Sequence, residues 1–308
     1  MRDYTSKLAH SITWKGSKQT YFTGRFMVDK DLVSDFFRAY AYFRWADDMV
    51  DTEASKDSPS LSADESTAFI SRQKELIDGL YKNESLDSLV PEEEILADLI
   101  SHDRGEKNSG LQSYIRNMFA IIEFDAYRKA RLISESELTW YTNTLAKSVT
   151  DGLHYFVSNE RPYSARDKRY SAALAAHITH LLRDMVQDTE NGFINIPREY
   201  LEAHNISPND IHSAPYQAWV RNRVELAYKY FDEGKRYLDD LSILRTKIVG
   251  FWYCARFENV VKTIEHDGYT LRREYNERGK ISTWLRIIWL GVSVTIKHVF
   301  GRVFTIRG

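Results

Sequence analysis

Apolar residues recur along most of the chain at intervals of three and four, the repeat of a helix buried on one side. Phe36, Phe37, Tyr40 and Phe43 share such a face with Arg44, which predicts a first long helix over residues 29–51. The same repeat predicts helices over 65–82, 91–103, 110–131, 135–159 and 168–189, then over about 216–243 and 245–267, and a last one beginning near Ile281. Between them, residues 55–66 read as a polar loop whose Asp64 or Ser66 caps the next helix, and NGFINIP (191–197) reads as a short connection. The six prolines all fall outside residues 92–161 and 216–308, leaving both stretches free of that helix breaker. No stretch alternates apolar and polar positions between turn signals as a strand does, and no internal repeat is visible. The pattern predicts an all-α protein.

With 308 residues, 43% hydrophobic and 28% charged, the chain is long enough to bury a full core. A formal net charge of −2 gives no bulk attraction to nucleic acid or to anionic membranes, and no nucleic acid is expected as a partner. The sole cysteine, Cys254, excludes an intramolecular disulfide and a cysteine-rich zinc cluster. The opening MRDYTSKLAHSITWKG lacks the apolar core of a signal peptide, so a cytoplasmic location is expected.

The last segment qualifies that expectation. In ISTWLRIIWLGVSVTIKHVFGRVF the uncharged run Ile287–Ile296 is ten residues. That is about 15 Å of helix, where a bilayer core takes about 20 residues. It is too short to span, yet Arg286, Lys297 and Arg302 punctuate it and Trp284 and Trp289 suit a membrane interface. Two readings stay open: peripheral contact at the inner face of a membrane, or plain packing. The expected division is a catalytic domain over 1–280 and a C-terminal apolar and basic helix over 281–308.

Two acidic clusters carry the candidate chemistry. In FRWADDMVDTEAS, Asp47, Asp48 and Asp51 follow a run of aromatics; in HITHLLRDMVQD, His177, His180, Asp184 and Asp188 are spaced three, four and four apart. Such intervals put side chains on one face of a helix. Carboxylates gathered without a counter-charge repel one another and are driven toward protonation. Hard oxygen donors select Mg²⁺, which keeps open positions for substrate phosphate. Two Asp-x-x-x-Asp helices in an all-α chain therefore point to a diphosphate held through magnesium. Either cluster alone reads equally as a solvated helix face, with Arg44 and Arg183 as its salt partners.

These residues resemble a known family. AYAYFRWADDMVD (39–51) and LLRDMVQDTENGFINIP (181–197) are similar to the two aspartate-rich motifs of the squalene/phytoene synthases. SKQTYFTGRFM (17–27), FDAYRKARLISESELTWYTNTLA (124–146) and ARFENVVKTIEHDGYTLRRE (255–274) resemble the family's N-terminal, middle and late segments. The resemblance implies an isoprenoid synthase fold, one helical bundle around a central apolar cavity. It implies the joining of two prenyl diphosphates, farnesyl or geranylgeranyl, head to head. By motif position Asp47, Asp51, Asp184 and Asp188 serve catalysis and bind Mg²⁺, with Asp48 and His180 as further metal ligands. Ser17, Lys18, Tyr40, Arg44, Arg183 and Arg273 fall where the family contacts diphosphate, and Tyr141 matches the tyrosine of the middle region. Phe22, Phe26, Phe36, Phe43, Tyr155 and Phe156 are candidates for an aromatic wall around a carbocation.

The departures are His177 and His180, where the family has Gln and Asn; Thr150 for a small glycine; Phe257 for a late tyrosine; and a late arginine displaced to Arg272 or Arg273. They leave a second reading open, a terpene cyclase that ionises one prenyl diphosphate, with His177 or His180 as the base and His177 the better candidate. A third takes HITHLLRDMVQD as a transition-metal site in a helical binding protein. NADPH enters only if the product is squalene, and no G-x-G-x-x-G motif is present.

Overall fold

A computed structural model describes residues 2–50, 62–84, 88–103, 109–158, 167–275 and 289–300. Among them there is no strand. The helices are α1 (Arg2–Gly16), α2 (Lys18–Met27), α3 (Val33–Val50), α4 (Ala63–Tyr81), α5 (Pro91–Ser101), α6 (Gly110–Arg128), α7 (Glu135–Val157), α8 (Ser171–Glu190), α9 (Arg198–His204), α10 (Ala214–Asp240) and α11 (Leu244–His266). A twelfth, α12, covers 289–300. The chain forms two compact units: residues 1–127 with 151–161, and residues 128–150 with 162–308.

In the first unit α3 packs against α1, α2 and α5. Its Phe37, Ala41, Tyr42 and Ala46 are all fully buried, a face turned from the expected one: Phe37 and Phe43 are buried, but Phe36 and Tyr40 are only partly buried and Arg44 is exposed. Phe36, Tyr114 and Tyr155 each meet the Phe156 ring, and Tyr114 also meets Phe43, with ring centroids 5.1–6.4 Å apart. A polar chain ties α3 to its neighbours. The Tyr42 hydroxyl donates to Gln73 Oε1 (3.0 Å), and Gln73 Nε2 donates to Glu93 Oε1 (2.7 Å). Arg72 closes on both Glu93 oxygens at 2.7 and 2.6 Å. Burial acts to raise the pKa of Glu93, but these donors outweigh it and hold the carboxyl below its ordinary value.

The N-terminal pair α1–α2 is absent from the sequence reading. The fully buried row of α1 is Thr5, Ala9 and Thr13, too small and polar for an apolar repeat to register. The cap of α4 is a correction. It is neither Asp64 nor Ser66 but Ser62, which accepts from Glu65 N (3.3 Å) while Glu65 Oε2 accepts from Ser62 N (2.8 Å), a capping box.

In the second unit α8, α10 and α11 pack against one another. The α8–α10 crossing is close. A Cβ on Gly234 of α10 would lie 2.5 Å from Ala172 N and 2.7 Å from Ala172 Cβ. The small residues Ala172, Ala173, Ala175 and Ala176 of α8 let the backbones meet there, and this crossing fixes the helix that carries the second acidic cluster.

Candidate functional site

The first cluster sits on the last turns of α3. Arg44 donates through Nε to Asp48 Oδ2 (3.1 Å), pairs through Nη2 with Asp48 Oδ1, and lies 3.9 Å from Asp47 Oδ2. All three side chains are about half exposed. Tyr40, one turn earlier, has its pKa raised, first by partial burial and then by Asp48 and Asp47, against the opposing effect of Arg44. Its hydroxyl lies where a Cβ on Gly16 would come within 2.9 Å. Gly16 precedes Ser17, the N-cap of α2, which accepts from Thr20 N (3.1 Å) and Thr20 Oγ1 (2.8 Å). Lys18 begins that helix, its Nζ 5.6 Å over the Trp14 ring. The first unit thus brings Tyr40 to the start of α2 and places Arg44, Asp47 and Asp48 on the turns that follow it. Asp51 lies outside the described residues.

The second cluster is on α8. Arg183 clasps Asp184 with two hydrogen bonds of 2.6 Å, and His180 Nε2 lies 2.9 Å from Asp184 Oδ2. Burial acts to raise the Asp184 pKa, but the Arg183 and then the His180 hydrogen bonds prevail and hold it well below the usual carboxylate range. Asp188 Oδ2 accepts from Asn195 Nδ2 at 2.8 Å. Asn195, wholly buried, in turn accepts from Arg128 Nη1 at 2.7 Å, and the Arg128 guanidinium lies 4.8 Å over the Tyr141 ring. Tyr141 is therefore linked to Asp188 through Arg128 and Asn195, two buried residues to which the sequence reading gave no role. The only signal for them was their place inside the quoted motifs.

Arg273 reaches Glu190 Oε2 at the end of α8 (2.9 Å), whereas Arg272 turns to Asp267. Of the two candidates for the late arginine, Arg273 is the one that pairs with α8. Phe257 of α11 lies 6.2 Å from the His180 ring. Phe22 and Phe26 of α2 stack on each other and are exposed.

The four residues whose spacing places them along one face of α8 do not share one environment. His180 and Asp184 touch and are partly exposed, but His177 is buried. One ring nitrogen of His177 donates to the Leu145 carbonyl, and its Nε2 has no partner. Burial first, and then His180, push its pKa down to about 3, so the imidazole is neutral. Among the described residues no three His, Cys, Asp or Glu side chains stand close enough to hold a metal ion by themselves. The donors present are carboxylate oxygens, the kind that Mg²⁺ takes, and two of them share a face of α8. Their chemistry fits that ion with substrate oxygens completing the shell.

A family model described as squalene/phytoene synthase matches residues 14–284. A 15-cis-phytoene synthase of Synechocystis sp. is 25% identical over 139 residues, 43% of this chain and 41% of that protein. The chain thus spans less than half the length of this curated relative. Among solved structures, a dehydrosqualene synthase in complex with ligand superposes with a TM-score of 0.65 at 16% identity, covering 95% of this chain and 96% of that one. The squalene synthase HpnC of Alicyclobacillus acidocaldarius gives 0.63 at 16% identity over 87% and 95%. These likenesses give the fold: an all-α isoprenoid synthase architecture.

Proposed function

The chain belongs to the squalene/phytoene synthase family, and on that footing we propose that it joins two allylic prenyl diphosphates head to head with release of diphosphate. The observation that carries the reading is a pair of carboxylate–guanidinium groups, Arg44 with Asp47 and Asp48 on α3, and Arg183 with Asp184 on α8. Both lie inside the stretch that the family model matches.

Departure of an allylic diphosphate places negative charge on the leaving oxygens, and preorganised cations lower that barrier most. Arg44, Arg183 and Arg273 supply fixed positive charge. Each rests on a neighbouring carboxylate, so it is held in place before a substrate arrives. Ser17 and Lys18 start α2, whose first amides and positive dipole end favour an anion. Asp47, Asp51, Asp184 and Asp188, with Asp48 and His180 as further donors, would hold Mg²⁺, which when bound supplies Lewis-acid stabilisation of the leaving diphosphate. Tyr141, braced by Arg128, presents a rigid ring whose face favours positive charge. The neutral His177 offers a lone pair rather than a charge at Nε2.

Incubating the protein with geranyl, farnesyl or geranylgeranyl diphosphate and Mg²⁺ tests the reading, with diphosphate release and product mass as readouts. A linear C30 or C40 product is expected, with NADPH required only if that product is squalene. No release from any of the three substrates overturns the proposal. A cyclic C15 or C20 product replaces it with the single-substrate cyclase, in which His177 takes the proton.

A further inference from the structure

Helix α12 has two unlike sides. At 100° per residue, Gly291 and Val294 fall on one side, and both are buried. A Cβ on Gly291 would come within 3.2 Å of Trp252 Cζ2, so this side lies close on α11. Trp289, Val292, Ile296, Val299 and Phe300 fall within a single arc of about 100° on the opposite side. Each is at least half exposed, Trp289 by 70%. No charged residue interrupts that stripe; the exposed Lys297 flanks it.

A stripe of this kind on a helix already anchored by its other side calls for an apolar occupant. Charge selects which. Residues 281–308 contain four basic residues (Arg286, Lys297, Arg302, Arg307) and no acidic one. The chain's net −2 is thus the sum of +4 in this segment and −6 elsewhere. Two copies meeting stripe to stripe would set +4 against +4. An anionic bilayer offers the opposite charge together with an apolar layer at the depth of one helix radius. The uncharged run Ile287–Ile296 is ten residues, about 15 Å if helical, where a bilayer core takes about 20 residues. No helix among the described residues is long and apolar enough to cross a membrane. The geometry is that of a helix lying in the plane of the interface.

We propose that α12 is a docking helix for an anionic phospholipid surface, with Trp289, Val292, Ile296, Val299 and Phe300 entering the headgroup–acyl boundary and Lys297 remaining at the headgroups. This assignment stands independently of the proposed activity. The test is flotation of the full chain with vesicles of phosphatidylcholine alone or of phosphatidylcholine mixed with phosphatidylglycerol. The protein is expected to float with the mixed vesicles, less with the neutral ones, and less again as salt is raised. Ile296→Glu and Val292→Glu change exposed side chains, so folding is retained, and each is expected to weaken binding at least about tenfold. Lys297→Glu is expected to weaken binding to the mixed vesicles and leave the weaker binding to neutral ones unchanged. A parent chain that stays soluble with both vesicle types overturns the proposal, as does unchanged flotation of both glutamate variants. A dimer abolished by Ile296→Glu, without vesicle binding, assigns the stripe to a second copy and overturns it equally.

Discussion

At the residue scale, the two acidic clusters differ in what their loss costs the fold. Asp47 and Arg44 are both about half exposed, and such pairs contribute about 0–1 kcal/mol. Asp184 is clasped by an Arg183 that is only 13% exposed, and removing one partner of a largely buried pair leaves a charge without compensation. Asp47→Asn is therefore expected to cut turnover about a hundredfold or more with an unchanged melting temperature. Asp184→Asn is expected to cut turnover similarly and to lose roughly 1–3 kcal/mol of stability. Turnover assays at saturating Mg²⁺ and thermal denaturation check both, and near-parental turnover in the pair would refute the two-cluster site. His177 gives a separate, pH-dependent outcome. Its folded pKa, about 3, lies below the unfolded 6.5, so between those values the unfolded chain binds a proton that the folded chain refuses. Stability is intact above pH 6.5 and falls as pH drops through that window. Between pH 7 and pH 5 the loss from this one group is about 2 kcal/mol. His177→Gln should remove that part of the acid sensitivity, measured as the fall in melting temperature over the same interval; an identical fall in parent and variant would contradict it. The sequence made the acidic residues and both histidines legible, because spacing and charge are visible in one dimension. It could not show that Arg128 and Asn195 join Tyr141 to Asp188, since Arg128 and Asn195 are 67 positions apart and neither belongs to a charged row.

At the element scale, the long helices were readable because each buries an apolar stripe of large residues, as α3 does with Phe37 and Tyr42. Where the buried row is small the reading failed, as in α1, and a seven-residue helix such as α9 is too short for a period to declare itself. The α8–α10 crossing carries the same lesson about small residues. In an exposed helix, Gly→Ala stabilises by about 0.5–1 kcal/mol. At Gly234 the added methyl would sit 2.5 Å from a backbone nitrogen of α8, and backbone cannot turn aside as a side chain can. The sign reverses, and Gly234→Ala is expected to destabilise by about 1–3 kcal/mol. Because the shift falls on the helix that holds His180, Arg183, Asp184 and Asp188, turnover should fall with it. Denaturant titration gives the stability, and a variant more stable than the parent would show that the helices do not meet as closely as described.

At the scale of the whole molecule, the question is whether the acidic clusters need a metal in order to fold. Carboxylates gathered without counter-charge would make the fold depend on the ion, as in domains that unfold when chelated. Here the described carboxylates of both clusters already have protein partners: Asp47 and Asp48 have Arg44, Asp184 has Arg183 and His180, and Asp188 has Asn195. The fold is thus balanced without the ion, while the proposed chemistry is not. Chelation with EDTA is expected to leave the far-ultraviolet circular dichroism and the melting temperature unchanged and to abolish turnover, which added Mg²⁺ restores. Inorganic diphosphate sharpens the test. A ligand that binds only the folded state raises stability by RT ln(1 + [L]/Kd), about 2.7 kcal/mol at a hundredfold excess over Kd. If the arginines and the carboxylates act on one bound group, Mg²⁺ and diphosphate together should raise the melting temperature by more than the sum of either alone, and Arg183→Gln should remove that excess. Purely additive shifts would mean that the cationic and acidic side chains do not share a ligand, and loss of the fold in EDTA alone would mean that the ion pairs described here do not suffice to balance the clusters.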